Sequence, residues 1–213
     1  MVLLVAVLLL AVGTYVAYFS PWLVVREVAV AGQRSVPAEN VIAAAAVPMG
    51  MPLARQDVQA IAERATRIPA VQAASGTRQW PGTLLVTVTE RQTVLAVRQG
   101  GDFLLVDATG VAFDRVPSAP SRVVQAEADP NDQALLADVG TVAAALPAEL
   151  GRQVSLLTAT GRERISLQLR SGVTVNWGNA ADSALKAQIV TALLKEKPRS
   201  TIDVSSPNSP AVK

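Results

Sequence analysis

The sequence predicts an α+β protein: an N-terminal transmembrane helix, a strand-helix-helix-strand-strand domain, then a mostly antiparallel β domain with two helices. Three observations carry this. Residues 1–19 hold no charged side chain; residues 24–92 read in order as one strand, two one-sided helices and two strands; and from residue 93 strands and turn residues dominate. The domains are accordingly set at 1–20, 24–92 and 93–213.

The first element is MVLLVAVLLLAVGTYVAYF, with Val2–Phe19 as the span and Arg26 as the first charge. At about 1.5 Å per residue, nineteen helical residues cover roughly 28 Å, about the thickness of a bilayer's hydrocarbon core. A cleaved secretory signal would need a basic start, a shorter apolar run and a small-x-small cleavage site. Here the start carries no Lys or Arg, and the run ends in Tyr18, Phe19 and Trp22, side chains that favour a membrane interface. Without a basic flank the positive-inside rule sets no orientation. A lost cytoplasmic tail is the expectation.

In VVREVAVAG, Val24, Val28 and Val30 predict a short strand ending at Gly32. Pro37 fits the first turn of a helix, Glu39 lies near the positive end of its dipole, and Pro48 stops it. PMGMP is a loop. A second helix starts near Asp57, places Val58, Ile61, Ala62, Ala65 and Ile68 on one face, and ends at Pro69. Arg55, Arg64 and Arg67 are read as solvated flanks. VQAAS and TLLVTVTER follow as strands separated by QWPG, with Leu85, Thr87 and Thr89 marking the alternation.

In the second domain FLLVDATGVAF is a hairpin turned by Asp107 and Gly110. A short strand, RVVQ, precedes a helix with Leu135, Leu136, Val139, Val142, Ala143 and Leu146 on one stripe. VSLLTA and RISLQLRSGVTVNW supply further strands. A helix over 182–195 should face Leu185, Ile189, Ala192 and Leu193 inward. The ending IDVSSPNSPAVK alternates like a strand at Ile202 and Val204, yet Pro207 and Pro210 cannot donate to a ladder. It is either a frayed tail or an edge strand.

The composition removes whole classes of chemistry. With no cysteine and no histidine there is no disulfide, thiolate metal site, cysteine nucleophile or imidazole base. A net charge of +2, spread along the chain, leaves no footprint for nucleic acid. Ser183-Ala184-Leu185-Lys186 matches the S-x-x-K of serine acyl-transferases, but no S-D-N or K-T-G follows, and a chance match is the plainer reading. Asp102, Asp107 and Asp114 lack the spacing of a calcium loop and read as turn carboxylates. Glu90 and Arg91, neighbours on a strand, point to opposite faces and so mark a domain junction rather than one pocket. No glycine-rich loop opens a helix, so phosphate binding has no motif. No catalytic residue, cofactor or metal site is expected, and elimination leaves a binding module.

The linear order resembles one family. An uncharged span, Val28-x-Val30-x-Gly32, the helix pair, IPAV (68–71), Arg78-x-Trp80-Pro81, TVTER (87–91) and LLVDATGVAF (104–113) follow in turn. Trp177-Gly178, Lys186 and IDVSSP complete a pattern similar to the FtsQ/DivIB family of bacterial cell-division proteins. The resemblance implies a single-pass protein of the plasma (inner) membrane at the division septum, with its bulk outside the cytoplasm. It implies a POTRA domain followed by a β domain, and no known enzymatic activity. Its partners would be FtsB/FtsL-type division proteins and, through them, septal peptidoglycan synthases. It further implies β-augmentation of the last strand, carried here by Ser206, Pro207, Asn208, Ser209, Pro210, Ala211, Val212 and Lys213. Arg162, Arg164 and Arg199 would pair with acidic residues of the partner. Thr93, where the family usually has proline, and Ser75-Gly76-Thr77, which should interrupt a strand, depart from the pattern. The alternatives are a POTRA-containing envelope chaperone or assembly factor and, more remotely, a Ser183/Lys186 acyl-transferase.

Overall fold

The computed structural model describes residues 1–196, 200–207 and 209–212, so the expected roles of Arg199, Asn208 and Lys213 fall outside the described residues. The chain divides into two compact units, Met1–Arg91 and Gln92–Lys213.

The first unit opens with α1 (Val2–Phe19), in which no residue is buried. It is long and apolar enough to cross a membrane. Ser20 accepts a hydrogen bond from the Trp22 amide at 3.1 Å, starting a 3₁₀ turn over Pro21–Leu23. There follow β1 (Glu27–Ala31), α2 (Ala38–Ala45), α3 (Val58–Ala65), β2 (Val71–Gln79) and β3 (Thr83–Glu90). The sheet runs β1-β3-β2, with β1 parallel and β2 antiparallel to β3. Strand alternation drives Leu84, Val86 and Val88 of β3 under Val41 and Ala45 of α2 and Ile61 and Ala65 of α3. Leu85, Thr87 and Thr89 line the opposite, more open face.

Local differences have physical causes. Pro37 sits one residue before α2 rather than in its first turn. Asp57 caps α3 by accepting from the Ala60 amide at 3.0 Å, which satisfies one of the donors a helix start leaves free. The helix stops at Ala65, so Ile68 packs from the turn that follows. Arg64 is no solvated flank: its Nε donates to the Ala45 carbonyl at 2.8 Å. That bond satisfies an orphan acceptor at the end of α2. Ser75-Gly76-Thr77 does not interrupt β2, which pairs through to Gln79. Glycine is required there because a Cβ on Gly76 would lie 2.9 Å from the Val58 carbonyl oxygen. Gly76→Ala is expected to destabilise the first unit by about 1–3 kcal/mol through overpacking, read as a lowered urea midpoint.

The second unit holds β4 (Leu95–Gln99), β5 (Asp102–Val106), β6 (Ala112–Val116), β7 (Val124–Glu127), α4 (Gln133–Ala145), α5 (Ala148–Gln153), β8 (Val154–Ala159), β9 (Ile165–Leu169), β10 (Thr174–Gly178), α6 (Ser183–Leu193), β11 (Thr201–Asp203) and β12 (Ala211–Val212). Their order is β12-β11-β10-β9-β8-β7-β4-β5-β6. The β4–β7, β7–β8 and β10–β11 pairs are parallel and the other neighbours antiparallel. The expected RVVQ strand begins at Val124, and α5 is an additional helix whose one buried residue is Leu150.

One row crosses four strands in register: Leu157, Leu167, Val175 and Ile202, each fully buried in the core that also takes Leu136 and Val139 of α4 and Val190 of α6. The inward face of α6 is rotated from the predicted one. Ser183, Lys186, Ala187 and Val190 are buried, whereas Leu185 is exposed.

Candidate functional site

The strand β11 is anchored before it is exposed. Ile202 and Val204 are fully buried. The Thr174 amide donates to the Ser200 carbonyl (3.0 Å) and the Val204 amide to the Asn176 carbonyl (2.9 Å), extending the parallel pairing with β10 at both ends. Gly178 adopts a positive φ of +77°, a conformation that glycine takes without steric cost. It also lies so close to the chain beyond β11 that a Cβ there would meet Ser205 Cβ at 2.8 Å.

Beyond Ser205 the chain turns, the Ser209 amide donating to the Ser206 carbonyl at 3.0 Å. It returns as β12, antiparallel to β11, with Val212 opposite Ile202 and Ala211 opposite Asp203. Pro207 therefore lies in the turn and Pro210 immediately before the strand, so neither removes a donor from β12. Ala211 and Val212 are exposed, and β12 ends the sheet order. Of the segment singled out from the sequence, Ser206, Pro207 and Ser209 belong to the turn, and Ala211 and Val212 are in strand.

Beside this edge the open face of the sheet carries a second row, Thr158, Ser166, Asn176 and Asp203, one residue out of phase with the buried row. Asp203 accepts from the Ser205 hydroxyl (2.7 Å) and amide (3.0 Å) and from Asn176 Nδ2 (3.4 Å). The Ser205 hydroxyl, then its amide, hold the carboxyl below the ordinary range against the opposing effect of burial, with Asn176 adding to them. A shallow cavity of about 350 Å³ over this row is rimmed by Glu163 and Arg164. Sequence reasoning missed it: the alternation of Ser166, Asn176 and Asp203 with buried neighbours is visible, but their alignment requires the strand order.

The candidate arginines separate. Arg162 is committed to Asp138 of α4, its Nε donating to one carboxylate oxygen and its Nη2 to the other at 3.1 Å. That hydrogen-bonded charge pair raises its pKa. Arg164 donates to the Thr160 carbonyl at 3.3 Å and lies at the cavity rim.

The S-x-x-K pair is a strut. Ser183 Oγ accepts from Trp177 Nε1 (3.0 Å) and donates to the Ala180 carbonyl (2.8 Å). Lys186 Nζ donates to the carbonyls of Trp177 (3.1 Å) and Asn179 (2.9 Å) and to Asn179 Oδ1 (3.2 Å). Both side chains are buried, and their polar atoms join α6 to the end of β10. Asp107 accepts from the Thr109 and Val111 amides and closes the β5–β6 turn, and no acidic cluster suited to a metal occurs among the described residues. Glu90 and Arg91 are the last residues of the first unit, at the junction read from the sequence, and Glu90 is buried within that unit and binds the loop before α2.

Residues 23–91 match the POTRA domain, FtsQ-type, and residues 95–205 match the Cell division protein FtsQ/DivIB, C-terminal domain. Cell division protein FtsQ of Streptomyces venezuelae is 37% identical over 215 residues, covering 96% of this chain and 79% of that protein. Its namesake in Streptomyces griseus is 37% identical over 204 residues, covering 91% and 98%. The solved extracytoplasmic domain of DivIB from Geobacillus stearothermophilus is 19% identical, with a TM-score of 0.40 over 52% of this chain and 99% of that one. An apolar N-terminal helix, a POTRA domain and a β-rich domain define a membrane-anchored division protein. The chain belongs to the FtsQ/DivIB family of cell division proteins.

Proposed function

We propose that this chain is a non-enzymatic scaffold of the divisome. It is held in the plasma membrane by one pass of α1, with both domains outside the cytoplasm at the septum. It captures an FtsB/FtsL-type partner by strand addition to β12 and thereby helps control septal peptidoglycan synthases. The observation that supports this reading is the edge itself: β12 is the terminal strand of the sheet and is exposed, while its neighbour β11 is anchored in the core. An added strand gains main-chain hydrogen bonds from β12, and the polar row ending at Asp203 lies one strand further in. Arg164 is the better placed arginine for an acidic partner residue, since Arg162 would have to leave Asp138.

Deleting residues 206–213 is expected to leave both domains folded and to weaken capture of an FtsB-like fragment by about 30-fold, the worth of the two ladder bonds that the outward-facing residue of β12 offers at ~1 kcal/mol each. Undiminished capture would sink the edge mechanism. A midcell band of the fluorescently tagged full chain separates division from an envelope-assembly role, for which uniform envelope staining is expected.

A further inference from the structure

The end of the first unit next to α1 carries an apolar rim that neither the core nor the strand edge uses. Trp22 is 78% exposed, Met49 56%, Met51 38% and Trp80 52%. These residues are scattered in sequence, and backbone bonds gather them around Val24–Arg26. On one side Val24 bridges Pro52, the Val25 amide donates to the Met51 carbonyl (2.9 Å), and the Gly50 amide donates to the Val25 carbonyl (3.0 Å). On the other the Arg26 amide donates to the Gly82 carbonyl (2.8 Å), and a Cβ on Gly82 would meet the Val24 carbonyl oxygen at 3.0 Å. The Met49–Met51 loop and the Trp80–Gly82 turn thus flank the chain where it leaves α1.

We propose that this rim docks on the bilayer surface, with Trp22, Met49, Met51 and Trp80 entering the interface and Arg26 and Arg55 meeting lipid phosphates. The inference rests on α1 spanning the membrane. Between Phe19 and Val25 lie two extended residues and one 3₁₀ turn, roughly 13 Å of chain at ~3.3 and ~2.0 Å per residue. The headgroup layer of one leaflet is ~5–8 Å deep, and long Met and Trp side chains reach back across the remainder. The chemistry favours lipid. Tryptophan prefers the interface, and methionine adapts to a fluid surface. Residues 40–56 contain Arg55 and no acid. Glu27 and Asp57 flank the rim, while exposed Arg26 and Arg55 offer the positive charge that anionic headgroups attract.

The chain has no cysteine, so one introduced thiol labels uniquely. Met51→Cys, Trp80→Cys and Arg67→Cys in the full chain would each carry an environment-sensitive fluorophore in phosphatidylglycerol-containing vesicles with a quencher near the lipid carbonyls. Arg67 precedes Val71, which pairs with Glu90 at the far end of β3. The residues of that strand together span roughly 26 Å at ~3.3 Å each. Quenching at positions 51 and 80 is expected to exceed that at 67 several-fold. Adding Met49→Ser and Trp80→Ser to the Met51→Cys chain should lower it to the level at 67. The side chains at 49, 51, 67 and 80 are all exposed, and unchanged circular dichroism will verify folding. Equal quenching at 51 and 67 overturns the proposal. So does a shift at 51 that follows protein-to-lipid ratio and ignores the quencher, which would assign the rim to a second copy of the chain.

Discussion

Glu90→Ala is expected to destabilise the first domain by about 4 kcal/mol, most of what a domain of this size holds. The carboxylate ends β3 and is buried, yet each oxygen is engaged. Oε1 accepts from the amides of Arg34 (2.7 Å), Ser35 (3.0 Å) and Val36 (2.9 Å), and Oε2 accepts from the Ser35 amide (3.1 Å) and hydroxyl (2.6 Å). Removing it strands consecutive amides at the entry to α2, where no side chain caps the helix. Glu90→Gln restores little, because its NH₂ would face those same donors. Hydrogen exchange of β1–β3 in the full chain should lose protection while the second unit keeps its own. Retained protection in β1–β3 contradicts the role.

The same group has a pH signature. Burial pushes the Glu90 carboxyl up, but the Ser35 hydroxyl and the Arg34, Val36 and Ser35 amides together outweigh it and hold it at about 2, from an ordinary 4.5. A folded-state pKa below the unfolded value means that the stabilisation is complete above the unfolded pKa and is lost as pH falls from about 4.5 towards 2. A shift of that size corresponds to about 3 kcal/mol. The stability difference between the native chain and Glu90→Gln should therefore shrink over that acid window. A difference that stays constant there refutes the assignment.

Lys186→Ala is expected to cost the second domain about 3–4 kcal/mol and to loosen the strand edge with it. The ammonium group holds two carbonyls at the end of β10, and β10 carries β11. Lys186→Met keeps the volume and loses only the hydrogen bonds, so its smaller cost, about 1–2 kcal/mol, measures them separately. Burial lowers the Lys186 pKa despite the nearby Asp182 and Glu163 carboxylates. For a base, a lowered folded-state pKa makes stability rise with pH between the folded value and the ordinary 10.5, and Lys186→Met should lack that rise. If Lys186→Ala leaves urea stability unchanged, the strut has no energetic role.

Much of the fold is legible in the sequence because its signals are local. Pro48 and Pro69 punctuate the two helices of the first unit, Asp57 supplies a cap, and Asp107 with Gly110 closes a hairpin. The short helix α5 escaped because AELGRQ has one buried side chain and no periodicity to read. Hydrophobicity placed Leu185 inside and left Lys186 outside the stripe. The fold reverses them. The carbonyls of Trp177 and Asn179 accept the buried ammonium, which offsets part of the cost of burying it, and Leu185 is left exposed.

Side chains close along the chain were enough to establish the apolar span, the strand-helix-helix-strand-strand order of the first unit, and the family. That the two prolines near the end both precede β12 rather than interrupt it emerged from the three-dimensional pairing alone. So did the alignment of Thr158, Ser166, Asn176 and Asp203 into one polar row and the gathering of Trp22, Met49, Met51 and Trp80 beside α1. Those arrangements depend on backbone hydrogen bonds between residues far apart in the chain, and no local propensity encodes their register.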